Sequence, residues 1–122
     1  TYDHLRARLG PARAIHVFER AVAPHPASLP PPEFLHEGDM RDTLPRWANA
    51  HGRAAVFAHA DTGSGDPVAT SAFSKYLAGA LPACLAPGAI VFSDQRLDDP
   101  ALAAFDPPAD LPAGRYHCYR AR

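Results

Sequence analysis

The stretch Ala54–Asp66, AAVFAHADTGSGD, constrains the fold more than any other part of the chain. Its first half is a near-continuous apolar run that stops abruptly at Asp61. A run that short, closed by Gly63-Ser64-Gly65, reads as a strand buried on both faces, the kind found inside a parallel sheet. Asp66 and Pro67 then suit a helix start, the acid as cap and the proline as first helical residue. Strand, acid, glycine turn and helix form the edge of a ligand crevice in doubly wound folds, where ligands sit outside the carboxyl ends of the strands.

Other segments follow the same plan. Thr1 caps a helix carrying Leu5 and Leu9 on one face, and Gly10-Pro11 stops it. Ala14–Phe18 is a short strand with Glu19 at its end, and the proline-rich 21–32 segment is irregular because prolines deny a helix its hydrogen bonds. Phe34–Glu37 is a brief strand closed by Gly38-Asp39. Asp42 caps a helix from Thr43 to His51, with Leu44 and Trp47 inward and Gly52 at its end. After the central strand, a helix over about 67–85 carries Phe73, Leu77 and Leu81 at a spacing of four, its last turn tightened by Pro82. Pro87-Gly88 ends that segment, and Ala89–Ser93 is a fully apolar strand running into Asp94. The region 98–114 reads as loop with at most one helical turn at 101–105. Arg115–Arg120 alternates aromatic and polar residues and is expected as an antiparallel edge strand.

Glu19, Asp39, Asp61 and Asp94 each follow an apolar, strand-like run, at separations of 20, 22 and 33 residues. Each interval is long enough for a crossover connection, and right-handed crossovers bring all four strand ends to one edge of a sheet. Carboxylates there accept hydrogen bonds from ribose hydroxyls, exocyclic amines or an ammonium group. Taken singly, each is equally an acid that ends a strand or caps a helix.

Composition narrows the class. With 122 residues the chain is one domain or part of one, and its 47% hydrophobic content supports a core. A net charge of −1 gives no basic footprint for nucleic acid and no charged membrane surface. No apolar run approaches the roughly 20 residues that span a bilayer. Cys84 and Cys118 lack zinc spacing and form no CxxC, so they read as free thiols of a reducing cytoplasm.

The segments VFER, EGDM, FAHAD and PGAIVFSDQ resemble, in order and spacing, the successive strands of class I S-adenosylmethionine-dependent methyltransferases. The resemblance runs from Thr1 to about Gln95 and is closest to a small bacterial S-adenosyl-L-methionine methyltransferase family in which TYDHLR directly follows the glycine-rich loop. It implies a Rossmann-like α/β fold, doubly wound with a mostly parallel sheet in a three-layer sandwich, and a single methyltransferase-like domain over residues 1–122. The first strand and glycine-rich loop of that fold would precede Thr1, so the chain is expected to be an N-terminally truncated piece, inactive on its own. The resemblance implies S-adenosylmethionine as cofactor, with Glu19 on the ribose hydroxyls, Asp39 on the adenine amine and Met40 against the ring. It places Thr1 and Tyr2 beside the cofactor's carboxylate at a helix N-terminus. Asp61 faces the methionine end and the entering substrate, and Arg20, Gly38 and Thr62 complete the set through their positions beside these residues. Where the acceptor needs deprotonation, Asp61 or His59 is the candidate base. The acceptor is expected to be a small molecule.

Other readings of the same residues lead elsewhere. His59 and Asp61 share a strand face, a pair that is more often packed or hydrogen-bonded than a ligand set, and His16, His36, His51 and His117 fall on different elements with no recognisable ligand spacing, so no metal site is expected. Gly63-Ser64-Gly65 is not the nucleophile elbow of a hydrolase, and TGSGD lacks the lysine of a phosphate-binding loop. Tyr116, His117 and Tyr119 are either packing or the lining of a substrate pocket. Arg41, Arg46 and Arg53 read as a solvated face. An acid ending the second strand also suits the ribose of NAD, so a dinucleotide-binding oxidoreductase is one alternative and a non-catalytic binding domain another.

Overall fold

The computed structural model describes residues 2–22 and 28–122. It divides into two compact units, Thr1–Arg46 and Trp47–Arg122. Thr1 and the middle of the proline-rich connection lie outside the described residues.

In the first unit, α1 (Tyr2–Leu9) ends where Gly10 turns to φ 69° and donates its N–H to the Arg6 carbonyl. Two three-residue strands, β1 (Val17–Glu19) and β2 (Leu35–Glu37), pair in parallel, with Glu19 level with Glu37. Both are shorter than the sequence suggests. Residues 14–16 stay outside β1 because β2 offers only three partners, and Phe34 closes a 3-10 turn, Pro32–Phe34, instead of opening the strand. His16 and His36 hydrogen-bond through Nδ1 and Nε2 at 3.0 Å and stack at 5.3 Å, and Phe18 stacks on His36 at 4.6 Å.

Helix α2 (Met40–His51) starts three residues before the expected Thr43. Asp39, not Asp42, caps it: its carboxylate accepts from the Arg41 N–H (2.8 Å) and its carbonyl from the N–H groups of Asp42 and Thr43. Pro45 lies inside the helix and removes one backbone bond there. Leu44 and Trp47 are buried, as their spacing predicts, and Gly52 at φ 63° closes the helix.

The second unit is built on a four-stranded sheet in the order β3-β4-β6-β5, from β3 (Ala55–Ala60), β4 (Leu85–Ser93), β5 (Leu102–Phe105) and β6 (His117–Ala121). β3 and β4 are parallel, while β6 runs antiparallel to both β4 and β5. Across both sheets the described pairs are therefore two parallel and two antiparallel, a mixed α/β fold and not a mostly parallel one.

Four expectations change here. β3 is not buried on both faces: among the described residues it pairs on one side only, and Val56 and Phe57 are 60% and 40% exposed. The buried strand is its neighbour β4, where Leu85 and Val91 are fully enclosed. β6 is interior instead of an edge, and residues 102–105 form strand β5 because β6 presents a free side to them. β4 also begins at Leu85, four residues before Ala89. Pro87-Gly88, with Gly88 at φ 83°, bulges the strand without ending it, and the register jumps from Ala55↔Leu85 to Phe57↔Ile90.

Helix α3 (Pro67–Ala80) is capped by Asp66, whose carboxylate accepts from the N–H groups of Val68 (2.9 Å) and Ala69 (3.3 Å). Pro82 sits in a closing 3-10 turn, Leu81–Ala83. Leu77 and Leu81 are buried and Phe73 half-buried, so the stripe faces the core. Arg41, Arg46 and Arg53 are exposed, and the Arg53 guanidinium also donates to the carbonyls of Leu85 (2.7 Å) and Arg122 (2.5 Å). Both cysteines are free and buried.

Candidate functional site

Each parallel pair carries acids at its carboxyl ends, and each unit presents its own cluster. In the first unit β1 ends at Glu19 and β2 at Glu37, side by side in register and both exposed. Glu37 accepts a long bond (3.4 Å) from the Val22 N–H, whereas the Glu19 carboxylate takes no partner among the described residues. Adjacent like charges at the ends of paired strands repel, and a ligand that donates hydrogen bonds relieves them. Gly38 follows at φ 128°, a conformation that favours glycine, and donates its N–H to the Glu19 carbonyl (2.8 Å), which ties the two strand ends together. Asp39 uses Oδ1 on the Arg41 N–H and faces the Arg41 guanidinium at 3.6 Å. Its Oδ2 takes no bond among the described residues. Arg20 is exposed beside Glu19, and Met40 is the half-buried first residue of α2. Tyr2 opens α1, and its hydroxyl accepts from Arg6 Nε at 3.4 Å.

In the second unit Asp61 directly follows β3, exposed, its carboxylate without a partner among the described residues. His59, two residues earlier, is half-buried, its ring tilted against Tyr116 with centroids 5.8 Å apart, and neither ring nitrogen is hydrogen-bonded among the described residues. Asp94, after β4, is quite different. Oδ1 accepts from the Thr62 N–H (3.0 Å) and hydroxyl (3.4 Å), and Oδ2 from the Gly63 N–H (2.9 Å) and Gln95 Nε2 (3.0 Å). A Cβ on Gly63 would lie 3.1 Å from Asp94 Oδ2, so any larger residue would push the carboxylate back by a few tenths of an ångström. Burial alone would raise the Asp94 pKa, but the bonds from Gln95, Thr62 and Gly63 together outweigh it and hold it below the ordinary carboxylate value.

Asp94 is therefore spent on the chain itself. It fixes the two residues after Asp61 and has little capacity left for a ligand. The rest of the glycine turn is likewise committed: the Ser64 N–H goes to Thr70 Oγ1 (3.1 Å) and the Asp66 N–H to Ser64 Oγ (3.4 Å). These amides are not free to cradle a phosphate.

The described residues thus bring Glu19, Gly38, Asp39 and Met40 together in one unit and His59, Asp61 and Thr62 in the other. Thr62 is held by Asp94, and Thr1 lies outside the described residues. Sequence reasoning missed Glu37, hidden as the last residue of a strand, and the clamping role of Asp94. The signal for the latter was the glycine at position 63, which gains a reason once an acid lies opposite it. No group of three or more His, Cys, Asp or Glu able to hold a metal occurs among the described residues. No helix there is long and apolar enough to cross a membrane.

Comparison with known proteins gives a consistent result. The profile of a family described as S-adenosyl-L-methionine methyltransferase matches residues 1–121. No curated protein matches significantly. Among solved structures, the chain is similar to the crystal structure of an S-adenosyl-L-methionine methyl transferase from Silicibacter pomeroyi DSS-3. The two are 36% identical, with a TM-score of 0.90 over 99% of this chain and 74% of that one.

Proposed function

Because the chain belongs to the S-adenosyl-L-methionine methyltransferase family, we propose that it directs the methyl group of S-adenosylmethionine to a small-molecule acceptor at the carboxyl ends of its parallel strands. Its cofactor is S-adenosylmethionine. The observation that carries the reading is that each unit ends a parallel pair in an exposed carboxylate left unpartnered among the described residues, Glu19 in one and Asp61 in the other. Membership of this family sets the oxidoreductase alternative aside.

The residues present fit a nucleoside-bearing ligand. The free Glu19 carboxylate suits two vicinal hydroxyls, and Asp39 Oδ2 suits an exocyclic amine. Met40 offers an apolar surface to a purine, with Arg20 and Gly38 shaping the approach beside it. The N-terminus of α1, which opens at Tyr2, favours a carboxylate. Thr62, fixed by Asp94, positions the backbone after Asp61. When bound, the cofactor supplies a methyl group already activated on a sulfonium, so the chain's own contribution is alignment and exclusion of water. His59, with both ring nitrogens unbonded among the described residues, takes a proton from the acceptor, and the Asp61 carboxylate holds the entering group in line.

Calorimetric titration with S-adenosylhomocysteine tests this directly. Glu19→Gln and Asp39→Asn are each expected to weaken binding about tenfold, the value of one hydrogen bond to a charged group. Asp61→Asn is expected to leave binding within about twofold while lowering turnover. Binding unaffected by both Glu19→Gln and Asp39→Asn refutes the assignment of the adenosine site. Thermal stabilisation by NAD but not by S-adenosylhomocysteine refutes the function itself.

A further inference from the structure

The second unit holds a cavity of about 380 Å3 between the 96–99 loop that follows Asp94, strand β5 and strand β6. We propose that this cavity is the acceptor subsite and takes a small aromatic molecule carrying one anionic or hydrogen-bond-accepting oxygen, an inference that rests on the methyltransferase reading above.

Position is the first argument. Tyr116 lines the cavity, and its ring also lies 5.8 Å from the ring of His59, the candidate base two residues before Asp61. His117, another lining residue, pairs with Ser93 across the sheet, level with Ala60 at the end of β3. The cavity therefore sits at the same carboxyl edge as Asp61 and shares a wall with the proposed base.

Its lining sets the chemistry. The volume is near the lower end of the range for small-molecule sites, about 300–1,000 Å3, which suits one or two rings. Phe105 and Tyr116 supply aromatic surface, Phe105 being 37% exposed, over a buried floor that includes Leu97 and Leu102. Tyr119, also lining the cavity, is only 4% exposed. Its hydroxyl accepts from the Leu97 N–H (2.8 Å), while its own hydrogen has no acceptor among the described residues. A buried phenol with a donor left over marks a place where an acceptor atom gains most, because an unmade bond there is costly.

Charge narrows the class further. Arg96 meets Asp98 only at 3.8 Å, longer than a hydrogen bond, so its guanidinium remains available to an anionic oxygen. Asp98 and Asp99 line the same cavity and oppose a second negative charge, which argues against a phosphate ester.

The test uses the full chain and two probes of equal charge, salicylate and cyclohexanecarboxylate, followed by amide NMR shift mapping. Salicylate is expected to saturate, with shifts confined to Leu97 and residues 116–119, and to bind at least about fivefold more tightly than the aliphatic acid. Arg96→Ala, at a largely exposed position, is expected to weaken salicylate about tenfold. It should leave S-adenosylhomocysteine affinity unchanged by calorimetry. Absence of saturation, shifts elsewhere, equal affinity for both acids, or indifference to Arg96→Ala each overturns the subsite while leaving cofactor binding intact. Salicylate bound in the cavity by a chain with no affinity for S-adenosylhomocysteine overturns the methyltransferase reading, and the acceptor role with it.

Discussion

Replacing Asp94 by asparagine tests how the loop after Asp61 is held. The carboxylate accepts from four donors on Thr62, Gly63 and Gln95. Asparagine keeps one acceptor oxygen and turns the other position into a donor, which must then face a backbone N–H that is already a donor. Each oxygen accepts two of the four bonds, so the new NH2 faces two donors; the Thr62 hydroxyl or the Gln95 amide can turn to accept, but the backbone N–H cannot. One charge-assisted backbone bond is then lost and one donor–donor opposition created, at about 1 kcal/mol each for a half-buried group, so the expected cost is ~2 kcal/mol. Asp94→Ala removes all four bonds but lets water reach Thr62 and Gly63, so it is expected to cost about as much as asparagine or less. That ordering, asparagine no better than alanine, distinguishes a clamp from a residue that merely fills space. In urea, with a slope of ~2 kcal/mol per M for a chain of this size, the midpoint should fall by roughly 1 M. The folded pKa lies below the unfolded value of ~3.9, so the clamp's contribution is complete above about pH 4 and is lost as pH falls through the folded pKa. Wild type should therefore lose midpoint on that acid limb, and Asp94→Asn should lose less. An asparagine variant within ~0.3 kcal/mol of wild type at pH 7, or with the same acid limb, refutes the clamp.

Gly63→Ala brings a Cβ to 3.1 Å from Asp94 Oδ2 and is expected to cost ~1 kcal/mol, seen as a lowered melting temperature that Asp94→Ala largely relieves in the double variant. Asp66→Ala removes the cap of α3 and should cost ~1 kcal/mol by the same measurement, with S-adenosylhomocysteine affinity unchanged. Burial pushes the Cys84 thiol up to about 11 and raises Cys118 as well. Neither is expected to react with a thiol reagent at pH 8 until denaturant is added, when both should; rapid reaction in the native chain refutes their burial.

How much of this was legible in the sequence depends on the range of the interaction involved. Caps and turns were readable where one residue acts on its neighbours: Asp66 before α3, Gly10 and Gly52 after their helices, Pro82 in a tightened last turn. The start of α2 was misplaced because Asp39 and Asp42 are both competent caps, and nothing local decides between them. Strand environment was less readable. AAVFAHA is as apolar as any buried strand, yet among the described residues β3 is paired on one side only, while β4, interrupted by Pro87-Gly88, is the one enclosed. Burial of a strand is set by its neighbours, and RYHCYR, with its edge-like alternation, became interior because β5 paired with it.

The acids carry the same lesson into function. Asp61 and Asp94 look alike in sequence, each closing an apolar run at the end of a parallel strand. Their difference comes from register: Ala60 lies beside Ser93, and the Asp94 N–H continues that ladder by donating to the Ala60 carbonyl (3.0 Å). This sets the Asp94 side chain against the chain leaving β3, where the amides of Thr62 and Gly63 need acceptors and Gly63 clears the space. One acid of the pair is consumed in shaping the loop, and the other is left exposed. A row of strand-end carboxylates is thus divided between holding the loop and meeting a ligand by contacts more than thirty residues apart in sequence, which is why the acids could be found from the chain but not sorted.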